Sequence, residues 1–124
     1  MNGYRPTVLI IDDDRDIRET LDCLFSYAGY AVRVARDGVS ALSALMDVMP
    51  DVMVTDMNMP RLGGFELLPL VRHFCPTVRI VAMSGEFSSG IVPLGVVADA
   101  FYAKGSDPCT RLLEILSELN FPCT

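Results

Sequence analysis

Short apolar runs alternate with segments of helical periodicity along this chain of 124 residues. Five runs are rich in aliphatic and β-branched side chains and predict strands at residues 7–11, 30–34, 52–54, 78–83 and 100–103. The run at 52–54 is apolar at consecutive positions, which is typical of a strand buried on both faces. The run at 30–34 alternates between apolar and polar positions, so we expect it nearer the edge of the sheet.

Between these runs, apolar residues recur at the spacing of amphipathic helices. The first helical stripe stops at Gly29 and the second at Pro50. The third contains Pro69, and because proline inside a helix costs about 3 kcal/mol, this helix should start late or bend. The last is predicted to have Asp107 as N-cap and Pro108 at its first position. The predicted stripes are Ile17, Leu21, Leu24, Phe25 and Ala28; Ala41, Leu42, Leu45, Met46 and Met49; Leu67, Leu70 or Val71, and Phe74; and Leu112, Leu113, Leu116 and Leu119.

The segment after the fourth strand departs from this pattern. It holds Gly90, Pro93 and Gly95 among aliphatic residues, and no charge lies between Glu86 and Asp99. A helix belongs here by alternation, and the sequence predicts it to be short or irregular. The uncharged surface of residues 88–98 is predicted to bind a partner or a second copy of the chain.

Five successive βα units predict the α/β class, as a doubly wound, five-stranded parallel sheet with helices on both faces. The flavodoxin-like strand order 2-1-3-4-5 fits this pattern, with the switch point between the first and third strands. We expect a single domain over residues 1–124, with a core of about 6–120, because this length supports one hydrophobic core.

Net charge, apolar runs and cysteine spacing argue against several classes of function. The net charge of −6 argues against direct binding of nucleic acid. The sequence has no apolar run long enough to span a membrane, and its N-terminus lacks the apolar core of a signal peptide. We therefore expect a cytosolic protein. The four cysteines lie far apart without a Cys-x-x-Cys pair, which argues against zinc and redox motifs.

Polar residues of a consistent kind end four of the predicted strands. Asp12 and Asp13 follow the first strand, Asp56 the third, Ser84 the fourth and Lys104 the fifth. Taken singly, each of these residues could be an ordinary turn residue, and the presence of only one lysine could reflect codon bias. Together they favour a site, because the carboxyl ends of parallel strands meet at one edge of the sheet.

Clustered carboxylates repel one another and stay ionised together only with a cation between them. Oxygen ligands in small number suit Mg²⁺. We therefore expect Asp12 and Asp13 to bind Mg²⁺, with Asp56 and the backbone carbonyl of Asn58 completing the protein ligands.

An aspartate carboxylate can also attack phosphorus to give an aspartyl-phosphate. Asp56 is the predicted nucleophile that accepts the phosphoryl group. The transferred group spreads charge over its equatorial oxygens, and Lys104 and Ser84 are predicted to bind two of them.

These motifs resemble the receiver domain of two-component response regulators, the CheY-like family. The resemblance rests on Val-Leu-Ile-Ile-Asp-Asp-Asp at 8–14, Asp-Met-Asn-Met-Pro at 56–60, Ala-Met-Ser-Gly at 82–85 and Phe-Tyr-Ala-Lys at 101–104. It covers nearly the whole chain. Its implied roles are the phosphoacceptor for Asp56, the Mg²⁺-binding acidic pair for Asp12 and Asp13, the switch hydroxyl for Ser84, the family's lysine for Lys104 and the switch aromatic for Phe101.

The resemblance also implies a mechanism. The donor would be a phospho-histidine on a sensor histidine kinase or a histidine phosphotransfer protein. Phosphorylation would draw the switch hydroxyl inward, let the aromatic rotate and reshape a protein-binding face, here within residues 88–103. Such a switch catalyses only its own phosphoryl transfer and dephosphorylation. Three departures stand out: Gly105 replaces the family's usual proline, the segment 84–104 is shorter than usual, and Pro69 lies inside the third helix.

Three other functions remain to be compared. A phosphatase of the haloacid-dehalogenase kind needs a second aspartate two residues after the nucleophile, where this chain has Asn58. A degenerate receiver could act as a protein-binding or dimerisation module without phosphorylation. A flavin-binding protein is disfavoured because no Ser/Thr/Gly-rich phosphate loop follows the first strand. His73, the only histidine, is predicted to lie on a helix surface.

Overall fold

A computed structural model of the chain describes residues 5–59, 61–85 and 96–121. Its strands are β1 (Thr7–Ile11), β2 (Ala31–Ala35), β3 (Val52–Asp56), β4 (Arg79–Ser84) and β5 (Ala100–Ala103). Its helices are α1 (Arg15–Tyr27), α2 (Gly38–Asp47), α3 (Gly64–Phe74) and α4 (Thr110–Glu118). All neighbouring strands run parallel, in the order β2-β1-β3-β4-β5. The predicted sheet and its strand order are confirmed.

Alternate strand residues build two separate hydrophobic cores. Leu9, Met53 and Ile80 point to the face that α2 and α3 cover. Val8 and Val54 point to the face that α1 and α4 cover. β3 is buried at every position because it lies in the middle of the sheet with helices on both sides. The predicted placement of helices on both faces is therefore confirmed.

Helix α1 forms where the sequence predicts it. The Asp14 carboxylate accepts hydrogen bonds from the backbone N–H groups of Asp16 and Ile17 and so caps the first turn. Leu21 and Phe25 are buried against the sheet. Gly29, with φ of 102°, ends the helix in a conformation that glycine adopts without strain.

The apolar stripes predicted for the second and third helices are correct only in part. Leu45, Leu67 and Val71 are buried, but the side chains of Met46 and Phe74 are largely exposed. Helix α2 also ends at Asp47, before Met49 and Pro50. An apolar stripe wider than the contact with the sheet leaves its outer members in solvent.

Helix α3 begins at Gly64, five residues before Pro69, so of the two predicted alternatives the late start is wrong and a bend stays a prediction. The N–H that proline lacks would have paired with the carbonyl of Phe65, four residues earlier. Phe65 is exposed in the first turn, where water can bind that carbonyl instead. Pro69 is thus tolerated within the helix.

The predicted cap of the last helix is also wrong. Cys109 holds the N-cap position of α4, and its side chain makes no capping hydrogen bond to any residue that the structure describes. The N–H groups of Arg111 and Leu112 instead pair with the carbonyls of Pro108 and Cys109, which forms a tight turn that overlaps the first turn of the helix. Asp107 uses its backbone carbonyl to accept a hydrogen bond from the Tyr102 hydroxyl at 2.7 Å.

The predicted irregular helix after β4 lies outside the described residues. Of the predicted binding surface at 88–98, the structure describes only 96–98, which pack partly buried against the α2–α3 core. Asp99 then fixes the entry to β5, because its carboxylate accepts hydrogen bonds from the Ile80 N–H at 2.8 Å and from Arg72 at 2.9 Å. Across the described ranges, every helix is too short or too polar to cross a membrane.

Candidate functional site

The carboxyl edge of the sheet gathers three aspartates. β1 and β3 pair in parallel register, so the residues that follow Ile11 and Thr55 meet at the same edge. Asp12, Asp13 and Asp56 each offer a carboxylate oxygen within 4.8 Å of the others. Mg²⁺ prefers such oxygen donors, so this set fits the ion by the chemistry and spacing of its ligands.

The two inner carboxylates are shielded from water. Asp12 is fully buried and Asp56 nearly so, whereas Asp13 is exposed at the mouth of the site. Burial raises the pKa of Asp56, and the neighbouring charge of Asp12 raises it further, against the opposing effect of Lys104. The acidic cluster therefore carries more negative charge than its protein surroundings balance.

One amine faces this cluster. The Lys104 Nζ lies 3.0 Å from the Asp12 Oδ2 and 3.5 Å from the Asp56 Oδ1. Burial acts to lower the pKa of Lys104, but the hydrogen bond and charge of Asp12, with those of Asp56, raise it above its ordinary value. The two carboxylates therefore favour the charged form of the amine at this edge of the sheet.

Lys104 follows β5 directly and is itself followed by Gly105, at the position where the resemblance implies a proline. The Lys104 N–H pairs with the Ser84 carbonyl at 3.0 Å, which extends the β4–β5 pairing by one residue. Gly105 follows with φ of 81°. Glycine reaches this left-handed conformation at little cost, and the turn still directs the amine to the two carboxylates.

The loop after β3 links Asp56 to Ser84. The Asn58 backbone N–H lies 3.4 Å from the Asp56 Oδ1, and the Asn58 side-chain amide donates to the Ser84 Oγ at 3.4 Å. Ser84 is fully buried at the end of β4. Phe101 is also buried and packs into the core beneath α2 and α3. All seven residues singled out from the sequence thus lie at or beneath one edge of the sheet.

Two residues that hold Asp12 in place were not predicted. The Asp14 N–H donates to the Asp12 Oδ1 at 2.9 Å, and the Arg18 Nη1 donates to the Asp12 carbonyl at 2.8 Å. Arg18 is one of nine arginines, and no local pattern marks it. Its position one turn into α1 follows from the cap at Asp14.

Contacts that join the loop after β3 to helix α2 were also missed. A Cβ built on Gly38 would lie 2.2 Å from the carbonyl oxygen of Leu62, so only glycine fits there. The Arg61 guanidinium lies 3.5 Å from the Asp37 carboxylate, which caps α2 through the Ser40 N–H. The capping hydrogen bond outweighs burial and, with Arg61, lowers the pKa of Asp37. Both contacts tie the loop that follows Asp56 to the start of α2.

The profile of the response regulator receiver domain matches residues 8–108. The chain belongs to this family. Response regulator MprA of Mycobacterium tuberculosis is 35% identical over 99 residues, which are 78% of this chain and 43% of that protein. The MprA of Mycobacterium avium matches to the same extent. The chain thus spans less than half the length of these curated relatives.

Solved structures of receivers share the fold. The response regulator TrrA of Thermotoga maritima, crystallised in complex with Mg²⁺-BeF, superposes with a TM-score of 0.82 at 25% identity, over 92% of this chain and 98% of that one. The chemotaxis response regulator CheY4 of Vibrio cholerae gives 0.80 at 29% identity, over 94% and 99%. Together with the profile match, these structures identify the chain as a signal-transduction receiver.

Proposed function

We propose that this receiver accepts a phosphoryl group on Asp56 and acts as a phosphorylation-dependent switch. One observation carries the proposal: three carboxylates whose oxygens lie within 4.8 Å share an edge of the sheet with the Lys104 amine. Such a cluster is unfavourable for a structural role alone, because buried like charges raise one another's pKa. It suits a site where a cation and a phosphoryl group are bound.

Asp12, Asp13 and Asp56 are the residues that would bind Mg²⁺, with the backbone carbonyl of Asn58 as the fourth predicted protein ligand. The ion would supply positive charge to the oxygens of the transferring phosphoryl group. The solved TrrA complex with Mg²⁺-BeF supports this assignment, because TrrA has the same fold.

In the proposed transfer, an Asp56 oxygen forms a bond to phosphorus while the bond between phosphorus and the donor's imidazole nitrogen breaks. The electron pair of the broken bond stays on that nitrogen. Lys104 binds one phosphoryl oxygen through its ammonium, and Ser84 binds another through its hydroxyl. The transfer therefore depends on positioning and charge neutralisation rather than on a general base.

The donor is proposed to be a sensor histidine kinase or a histidine phosphotransfer protein. Once Asp56 is phosphorylated, Ser84 and Phe101 act as the switch pair, and a protein-binding face within residues 88–103 changes. The chain then catalyses only its own phosphorylation and dephosphorylation, in the cytoplasm. It passes the signal on by protein contact rather than by binding nucleic acid or membrane itself.

Intact-mass measurement after incubation with acetyl phosphate tests the proposal. We expect the wild-type chain to gain the mass of one phosphoryl group in Mg²⁺ and to gain none in excess chelator. Asp56→Asn should gain none in either condition. Asp14→Asn is the matched control, because an asparagine side chain also caps helices and this position lies outside the acidic trio.

The same measurement separates the alternatives. A degenerate receiver would show no adduct under any condition. A phosphatase would release phosphate steadily from a small phosphate ester, without accumulating an adduct. An adduct that persists in Asp56→Asn would refute the choice of phosphoacceptor.

A further inference from the structure

A groove on the side of the molecule away from the acidic cluster has no role in the proposed phosphorylation. It runs between α2 and α3 and encloses about 530 Å³. We call it the α2–α3 groove; its main lining residues are Leu42, Leu45, Met46, Met49, Leu70 and Phe74. Its floor is part of the core, while its walls are open to solvent.

The walls expose unusually large apolar side chains. Met46 and Phe74 are 89% and 70% exposed, and Met49 is 52% exposed. On α2, Val39, Leu42 and Met46 recur at helical spacing, so the exposed surface continues as a stripe towards the start of the helix. Together these side chains present on the order of 500 Å² of apolar surface, near the upper end for the largest patch on a monomer.

We propose that the α2–α3 groove packs against the same groove of a second copy of the chain, forming a symmetric dimer. A standard interface buries about 800 Å² on each partner. The apolar patch supplies more than half of that area, and a polar rim around it can supply the rest. With such a rim, the proposed contact would reach the size of a specific interface.

The distribution of charge favours a second copy as the occupant. In a two-fold interface the patch meets its own copy, so a charge near the two-fold axis would lie close to the same charge of the second copy. The groove-lining side chains within the described residues are all uncharged, although the whole chain carries a net charge of −6. Asp47 and Arg72, which follow the lining residues Met46 and Val71 in the sequence, form ion pairs with Arg33 and Asp99.

The patch has projecting side chains on both sides of a recess, an arrangement that a two-fold contact can use. Met46 projects from α2 and Phe74 from α3, one on each side of the groove. In a two-fold arrangement, the projecting side chains of one copy enter the groove of the other. Methionine is well suited to such a contact because its flexible side chain adapts to irregular space.

Sedimentation velocity over roughly 5–500 µM protein tests the proposal, a range that detects dissociation constants typical of weak interfaces. We expect the wild-type chain to shift from monomer to dimer across this range, and Met46→Glu to remain monomeric. Tyr27→Glu should dimerise as the wild type does, because Tyr27 is at least as exposed but lies on α1, away from the groove. Phe74→Glu provides a second groove variant should Met46→Glu unfold.

Methyl-labelled methionine locates the contact by NMR. The signals of Met46 and Met49 should shift with protein concentration, whereas those of the buried Met53 and Met83 should not. Three results would overturn the proposal: a wild-type chain that is monomeric throughout, a dimer that survives both groove substitutions, or equal loss of dimer in Tyr27→Glu. Asp56→Asn should dimerise normally, so failure of this proposal is distinct from failure of the phosphoacceptor assignment.

Discussion

The carboxyl edge of the sheet and the α2–α3 groove differ in what they expose. The edge concentrates charge, with three aspartates and one lysine. The groove concentrates apolar surface, and its lining side chains among the described residues have no charge. The edge is where we propose that a cation and a phosphoryl group bind, and the groove is where we propose that a second copy binds. The two proposed binding functions thus differ in chemistry as well as in position.

The approach of Gly38 to Leu62 helps to join the loop at the carboxyl edge to helix α2, which also lines the groove, and breaking it is expected to have the largest effect. In Gly38→Ala the new Cβ would lie 2.2 Å from the Leu62 carbonyl, so the loop after β3 and the first turn of α2 must separate. We expect the free energy of unfolding to fall by about 1–3 kcal/mol, as for other overpacked sites. Urea denaturation measures the change.

Gly85→Ala is the control for Gly38→Ala. Among the described residues, nothing lies within 4 Å of a Cβ built on Gly85, so its effect should stay within about 0.5 kcal/mol. Equal stability of the two variants would show that the close approach of Gly38 to Leu62 can relax freely.

The effect of Mg²⁺ on the melting temperature should distinguish substitutions at the carboxyl edge from substitutions in the groove. At free Mg²⁺ about ten times its dissociation constant, binding to the folded state alone adds roughly 1.4 kcal/mol and raises the melting temperature by several degrees. Asp13→Asn should reduce this rise while leaving the metal-free form as stable as wild type or more so, because one repelling charge is gone. Differential scanning fluorimetry measures both values.

Met46→Glu should keep the full Mg²⁺-dependent rise in melting temperature, since its residue lies in the groove. A metal-free melting temperature that falls in Asp13→Asn would contradict carboxylate repulsion as the dominant effect at this edge.

The smallest of the expected effects is a difference between Asp56→Asn and the wild type in the pH dependence of stability. The folded-state pKa of Asp56 lies above its ordinary value of 3.8, so its ionised form is disfavoured by folding. The stability that protonated Asp56 contributes is fully present below pH 3.8 and is lost as the pH rises through the raised pKa. In chelator, Asp56→Asn should therefore match or exceed the wild type at neutral pH, with the gain shrinking towards acid. Urea midpoints across this pH range measure it, and a constant difference would refute the assignment.

The strands and their order could be predicted because each strand carries its own local pattern and the βα alternation restricts the topology. The position of Asp12, Asp56, Ser84 and Lys104 at one edge followed, since each comes at or just after the end of a predicted strand. Their geometric arrangement is observed, while their roles in phosphoryl transfer stay predictions.

Other features depend on tertiary contacts that the local sequence does not indicate. Periodicity gave the stripe containing Met46 and Phe74, but how far the sheet covers that stripe is set by tertiary packing. Asp107 has the chemistry of a cap, yet the tight turn at Pro108 moves the start of the helix beyond it. The approach of Gly38 to Leu62 joins residues distant in sequence, and a single glycine does not indicate its neighbour.

Lys104 is the only lysine in the sequence, which has a practical consequence for chemical probing. An amine-reactive acylating reagent can modify this chain only at Lys104 or at its terminal α-amine. The Lys104 side chain is 21% exposed and engaged with two carboxylates, so its rate of acylation reports how often the ammonium leaves them. A single modified peptide could thus serve as a built-in reporter for occupancy of the pocket by ions or phosphate mimics.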